Sequence, residues 1–487
     1  IGTYYGGKNG MLKYTKDDSI GLLNSTRCLF GNSNYVLLKL CAKDDKDIYA
    51  QLEDVNGNPK LYHYIYNENI KTDKEKLKIF TLVENEFLNQ AINVYQRENP
   101  DIDIELTVGM NNEVNLSVSD ILKKLNTEIN GGNGPDLILF DGIDINNYID
   151  QNLLIDLSQL VSEIEEKEDL YSNIFNSFKV NEKIYGVPLK FSFMISSTNT
   201  NINETSNLNK LINQLKESVK TNKDVTAFNP DSLGQIASIY YKLTFETNMN
   251  DINIDEDNLK EFYSNLKELD TLANINIDNH DHDSDCDHEI NLSNIDILPY
   301  NYEDVLYVTS NKGMVAPDYI DSMYSYCQLM RSISLNKNIS YEILTKDNSK
   351  VFVPESIVGI SSKSKHQNIA KEFLKFLASE EGQNSEDYIG GLSINKNSLK
   401  NSMENVMASS YTIDIDGKKE TLEIDSLTDS EKERFFYDVN NMNMPCKSNY
   451  TVQSIIMEQA DKLLDDKITV DVATKNAYRK LKLYSAE

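Results

Sequence analysis

Gly134-Pro135-Asp136-Leu137-Ile138-Leu139-Phe140-Asp141 sets four consecutive apolar residues between a glycine–proline break and a carboxylate. A short, unbroken apolar run bounded in this way reads as a strand buried on both faces, which is how strands of helix-covered parallel sheets look. The residues upstream supply the rest of such a sheet. Leu77-Lys78-Ile79-Phe80-Thr81-Leu82 reads as a strand, and Phe87, Leu88, Ala91, Ile92 and Tyr95 recur at helical spacing. Ile102 to Leu106 alternates as a second strand, and a helix from Ser119 to Leu125 is stopped by Gly131-Gly132-Asn133-Gly134. The order β-α-β-α-β predicts parallel strands with ligands off their C-terminal ends. Those ends carry Val83-Glu84-Asn85 and Asp141-Gly142, so Glu84, Asn85 and Asp141 are candidate ligand contacts.

Three further passages follow in order. Tyr185-Gly186-Val187-Pro188 is a tight turn feeding a strand, Ala370 to Leu377 is an amphipathic helix, and Gly390-Gly391-Leu392-Ser393-Ile394-Asn395 is a glycine hinge. Together with the first passage they resemble the extracellular solute-binding proteins of ABC importers, of the carbohydrate-binding, family 1 type. The resemblance covers roughly Leu77 to Glu487. It implies an α/β, two-lobed, periplasmic-binding-protein-like fold with an interlobe cleft and crossover strands near 195–200 and 350–355. Residues 77–195 plus 355–403 would form one lobe, and 196–354 plus 404–487 the other. It also implies that the chain is no enzyme. A small solute, a sugar or oligosaccharide, would be captured between the lobes and delivered to ABC permease subunits. The expected setting is extracellular, as a monomer anchored to a Gram-positive cell surface as a lipoprotein.

The resemblance gives individual residues roles. At a strand end, the Asp141 carboxylate would accept hydrogen bonds from adjacent sugar hydroxyls; the plainer reading is an N-cap for a helix starting near Ile145. Lys190 and Phe191 follow the Tyr-Gly-Val-Pro turn, where relatives touch ligand, although the family's usual "Y-Y-N" is replaced by Ile195-Ser196-Ser197-Thr198-Asn199. Asn152-Leu153-Leu154-Ile155-Asp156-Leu157 resembles "G-L-L-x-D-L" with Asn in place of Gly. Asn311-Lys312-Gly313-Met314-Val315-Ala316 resembles "N/G-K-G-x-A-A-M". The chain has no Trp, so a platform for sugar stacking must come from its 28 Tyr or 16 Phe. Tyr240, Tyr319 and Tyr324 are the candidates, against the plainer reading of core or surface tyrosines.

Composition narrows the partners. A net charge of −29 opposes binding to nucleic acid or to an anionic membrane. Five scattered cysteines make no disulfide framework. His280, His282 and His288 fall with Cys286 inside the acidic stretch 278–289, side chains that suit zinc. Zinc there is the one cofactor in view, and otherwise none is expected. The plainer reading of that stretch is a solvated, mobile insertion. Ser362-Lys363-Ser364-Lys365 fits a Ser-x-x-Lys nucleophile motif, but no Ser-Asp-Asn or Lys-Thr-Gly accompanies it. Residues 1–70 are a small β-rich module, either the last blade of a propeller-like repeat or an independent sheet. Two rival functions follow: zinc trafficking through 278–289, or a cell-surface sensor or adhesin with degenerate lobes.

Overall fold

The computed structural model describes residues 3–7, 10–14, 20–24, 35–44, 46–54, 58–65, 74–110, 116–199, 202–247, 254–275, 292, 304–384 and 391–485. Two three-stranded antiparallel sheets come first: β1 (Thr3–Gly7), β2 (Gly10–Tyr14) and β3 (Ile20–Asn24), then β4 (Tyr35–Asp44), β5 (Asp47–Asp54) and β6 (Pro59–Ile65). Met11 and Ile48 are buried in one small cluster with Tyr4, Leu40, Ala42 and Tyr64. The alternation of β5 decides its faces. Ile48, Ala50 and Leu52 are buried, whereas Tyr49 and Gln51 are exposed.

The β-α-β-α-β unit is present. β7 (Glu75–Thr81), α1 (Glu86–Glu98), β8 (Ile102–Val108), α2 (Val118–Asn130) and β9 (Leu137–Leu139) follow in order, and β7 pairs in parallel with both β8 and β9. Asn85 caps α1 by accepting from Leu88 N, and Ser117 caps α2. Next come α3 (Ile145–Asp150), α4 (Ser158–Glu165), α5 (Ser172–Asn176) and the short hairpin β10 (Lys179–Val180) and β11 (Lys183–Ile184). Asn152 has φ +56°, the left-handed conformation that glycine adopts freely, which accounts for an Asn where the resembling motif has Gly.

Two long strands run through the ten-stranded sheet. β12 (Val187–Thr198) is followed by α6 (Leu208–Thr221), α7 (Leu233–Tyr241), a π-helical turn over Lys242–Glu246, α8 (Glu256–Ala273), α9 (Asp304–Thr309), β13 (Val315–Ile320), α10 (Met323–Leu335), β14 (Ser340–Ile343), β15 (Thr345–Lys346) and β16 (Ser349–Ile360). The sheet order is β13-β12-β16-β9-β7-β8. β16 lies antiparallel to β9, so the parallel unit continues into a mixed sheet. The first half of β12 pairs with β16 and its second half with β13 and β14. All twelve residues of β12 are buried.

α11 (Gln367–Ala378), α12 (Glu380–Gln383), β17 (Leu392–Ser393) and α13 (Lys396–Glu404) complete the first pass of the chain around this sheet. The tail adds the hairpin β18 (Ser409–Ile415) and β19 (Lys418–Ile424), α14 (Asp429–Asn440), β20 (Met442–Pro445), α15 (Tyr450–Leu464) and α16 (Val470–Tyr484). Thr428 and Glu431 form the reciprocal capping box that their spacing predicts. Two large clusters of buried side chains flank β12. Leu189, Phe191, Phe193 and Ile195 enter one, together with β7, α1 and α11. Met194 enters the other, together with α6, α7, α8 and α15.

Candidate functional site

The alternation of β12 creates the site. Its odd-numbered side chains from Leu189 to Ile195 are apolar and sit in the first core, while on the opposite face Lys190, Ser192 and Ser196 are polar yet buried. Lys190 is in register with Glu355 of β16, so the two share that face. Ser192 Oγ donates to Glu355 Oε1 at 2.6 Å. Gly391, at φ +88°, lies so close that a Cβ there would stand 2.4 Å from Glu355 Oε2 and 3.2 Å from Lys190 Cβ. A side chain at 391 would fill this spot. The Lys190 ammonium lies 4.8 Å from the centroid of the Phe87 ring, at the start of α1.

Asp141 arrives from the end of β9. It does not cap the helix behind it, because Asp144 does so by accepting from Asn146 N. Its Oδ2 is buried and makes no hydrogen bond among the described residues. Burial pushes its carboxyl pKa up to about 7, against the backbone N–H groups of Ser356 and Ile357. Burial likewise pushes Glu355 to about 7; the Ser192 hydroxyl opposes the rise, and the charges of Asp321 and Asp141 add to it. Ser356 itself has φ +51° and accepts from Asn85 Nδ2 at 2.9 Å, so Asn85 joins α1 to this edge of the sheet.

Tyr450, Lys242 and Glu246 approach from the other core. Tyr450 N donates to Gly142 O at 2.9 Å, and Gly142 N donates to Ser448 Oγ at 3.1 Å, which ties the end of β9 to the start of α15. Burial raises the Tyr450 pKa, and the nearby charges of Asp141, Glu246 and Glu355 add to it while Lys242 opposes it. Lys242 and Glu246 form an ion pair of 2.9 Å, with side chains 10 % and 2 % exposed. Burial, the largest single influence, would lower the Lys242 pKa, but Glu246 together with Tyr319, Cys446 and Tyr450 outweighs it and the net shift is upward. Tyr319 lies beside this pair, its pKa pushed up to about 12 by burial with Lys242 opposing.

Of the residues read from sequence, Asp141, Lys190, Asn85 and Tyr319 fall on or beside this cluster. Glu84 is exposed in the loop before α1. Phe191 points the opposite way from Lys190, into the first core against Tyr171. Tyr240 is a core residue whose hydroxyl donates to Thr205 O at 2.5 Å. The Tyr324 hydroxyl lies 2.7 Å from both Ser409 Oγ and Tyr411 Oη, where it fastens the β18–β19 hairpin. His280, His282 and His288 lie outside the described residues, as does the rest of 276–291. Among the described residues, no three His, Cys, Asp or Glu side chains are placed to hold a metal ion. Sequence reasoning missed Glu355, Ser356, Ser192, Lys242 and Tyr450. The signal for two of them was Pro354-Glu355-Ser356, a polar break inside an otherwise apolar strand.

Two surface depressions, of about 600 and about 790 Å³, lie elsewhere and include none of these residues. No described helix is long and apolar enough to cross a membrane.

Residues 81–265 match the family model described as bacterial extracellular solute-binding protein. This stretch, less than half of the chain, is similar to that solute-binding family. It holds Asn85, Asp141, Lys190, Ser192, Lys242 and Glu246, which is most of the cluster. No curated protein matches the chain. Similar solved structures include a sugar transporter from Bacillus licheniformis in complex with stachyose (14% identity, 83% of this chain and 98% of that one, TM-score 0.49). Others are maltose-bound MalE3 of T. maritima (16%, 84% and 99%, 0.47) and an ABC substrate-binding protein from Listeria monocytogenes in complex with cycloalternan (16%, 85% and 100%, 0.44).

Proposed function

We propose that this chain is an extracellular solute-binding protein that takes a sugar or oligosaccharide into the cleft between two lobes and hands it to an ABC permease. The observation that carries the reading is that the family-matched stretch itself delivers Asp141, Lys190 and Lys242 to one cluster, straddled by β12 and β16. In this reading the lobes are 77–195 with 355–403 and 196–354 with 404–487, and the paired long strands are the hinge. Carboxyl, hydroxyl and ammonium groups held on a buried strand face give a polyhydroxyl ligand fixed acceptors and donors. Tyr319 and Tyr450 add aromatic edges. Closure is stabilised only by contacts that both lobes make with the ligand. The chain catalyses nothing in this account, works as a monomer and is held at a Gram-positive cell surface by a lipid anchor, with no cofactor.

A thermal-shift panel of mono- and oligosaccharides tests it. A bound sugar adds RT ln(1 + [L]/Kd), roughly 2.7 kcal/mol at a hundredfold excess over Kd. Stabilisation that grows with sugar concentration is expected. Stabilisation by zinc or a peptide with none from any sugar would contradict the reading.

A further inference from the structure

The N-terminal module repeats itself. Leu12-Lys13 in β2 and Leu38-Lys39 in β4 are each followed by Lys-Asp-Asp, at 16–18 and at 43–45, and then by an isoleucine of the next strand, Ile20 or Ile48. β2 pairs antiparallel with β3, and β4 with β5, so the two copies are hairpins of one kind. One stack between such sheets is already built. Met11 of β2 and Tyr4 of β1 pack on Ile48, Leu40, Ala42 and Tyr64 of the second sheet. Stacked repeats bury each sheet between its neighbours, and an end repeat stays soluble by turning a polar face outward.

The outer face of the second sheet is not polar in that way. Register puts Cys41, Tyr49 and His63 in one row across β4, β5 and β6, and the Tyr49 and His63 rings stack with centroids 4.0 Å apart. Val36, Leu61 and Ile65 are 60–74 % exposed on the same side, opposite the buried Ile48, Ala50 and Leu52. Charge is a second, independent observation. Residues 1–70 hold eight Lys and Arg and eight Asp and Glu, so the whole net charge of −29 lies beyond them. Two copies of this chain therefore repel one another through their binding lobes and not through the module.

We infer that the outer face of β4, β5 and β6 pairs with the same face of a second copy of this chain. The sheet stacked on the inner side shows what shape fits, a further sheet of this repeat, and a second copy supplies one with no net charge to oppose it. Like faces meeting give a closed pair and not an open stack. Three strands about 25 Å long cover roughly 350 Å², at the small end for an interface, so the pair is weak and forms at high local concentration. Each chain still captures its solute alone, as in the reading above, and that reading stands or falls separately.

Sedimentation velocity of the full chain, over a dilution series from about 1 to about 200 µM in low and in high salt, tests this. The single chain should give way to a two-chain species as concentration rises. High salt should strengthen the pair, because it screens the repulsion between the acidic lobes and leaves the apolar contact. Leu61→Lys with Ile65→Lys, both exposed in the single chain, should weaken pairing at least about tenfold and leave the melting temperature and sugar binding of the dilute protein unchanged. Cys41, the exposed thiol on this face, should react with a maleimide more slowly in the concentrated sample than in the dilute one, a readout that needs no variant. A single chain at every concentration and salt, a pair that leaves Cys41 as reactive or the double variant as tight, or growth past two copies would each overturn the pairing.

Discussion

At the scale of single residues, Asp141 is the group whose behaviour is most sharply defined. Its folded pKa of about 7 lies above its ordinary value of 3.8. The folded chain therefore holds this proton more tightly than the unfolded chain does. Stability from this group is full below about pH 4 and is lost as pH rises towards 7. The loss is on the order of 4 kcal/mol at most, at about 1.4 kcal/mol per pK unit. Asp141→Asn should raise the melting temperature of the empty protein at pH 8 and change it little at pH 4. An equal shift at both values would mean that the carboxyl is not buried as described. Gly142 gives a second outcome. Its φ is +74°, and an added Cβ would sit 2.2 Å from the Tyr450 ring. Gly142→Ala should destabilise by about 1–3 kcal/mol, from backbone strain and overlap together. Chemical denaturation measures this, and an unchanged midpoint would show that α15 does not pack on the end of β9. Residues were also where sequence reading was weakest. Lys190 and Phe191 are neighbours read alike, yet strand alternation sends one to the acidic cluster and the other to the core. Which is which depends on β16, some 160 positions away, and no local signal reports that.

At the scale of elements, most of the fold was legible because its signals are local. The apolar run at 137–140, the helical spacing of 87–95 and the Thr428–Glu431 capping box each became the element they predict. The tight turn at Tyr185–Pro188 does open β12, and Gly391 does adopt a glycine conformation. The sheet's antiparallel continuation was not legible, because β9 and β16 are paired by chain far apart in sequence. The π-helical turn at 242–246 was not seen either; its buried ion pair had no periodic signature. That pair makes its own prediction. Lys242→Met strands Glu246 in the interior and should cost about 3–5 kcal/mol, whereas replacing both residues with Met should recover most of it. Denaturant midpoints of the single and double variants decide this. A harmless single change would show that water reaches Glu246.

At the scale of the whole molecule, the proposed capture by closure turns on one arrangement. β12 and β16 run side by side between two cores, and the polar face they share meets Lys242, Glu246, Tyr319 and Tyr450 from the second. A ligand gripped from both sides there must draw the two sides together, and hinge closure of this kind shortens a molecule measurably. Small-angle scattering of the full chain, with and without the tightest-binding sugar of the panel at saturation, tests the claim directly. A smaller radius of gyration is expected in the bound state, reversed when the sugar is dialysed away. A saturated protein whose radius of gyration is unchanged would contradict capture by closure between the lobes.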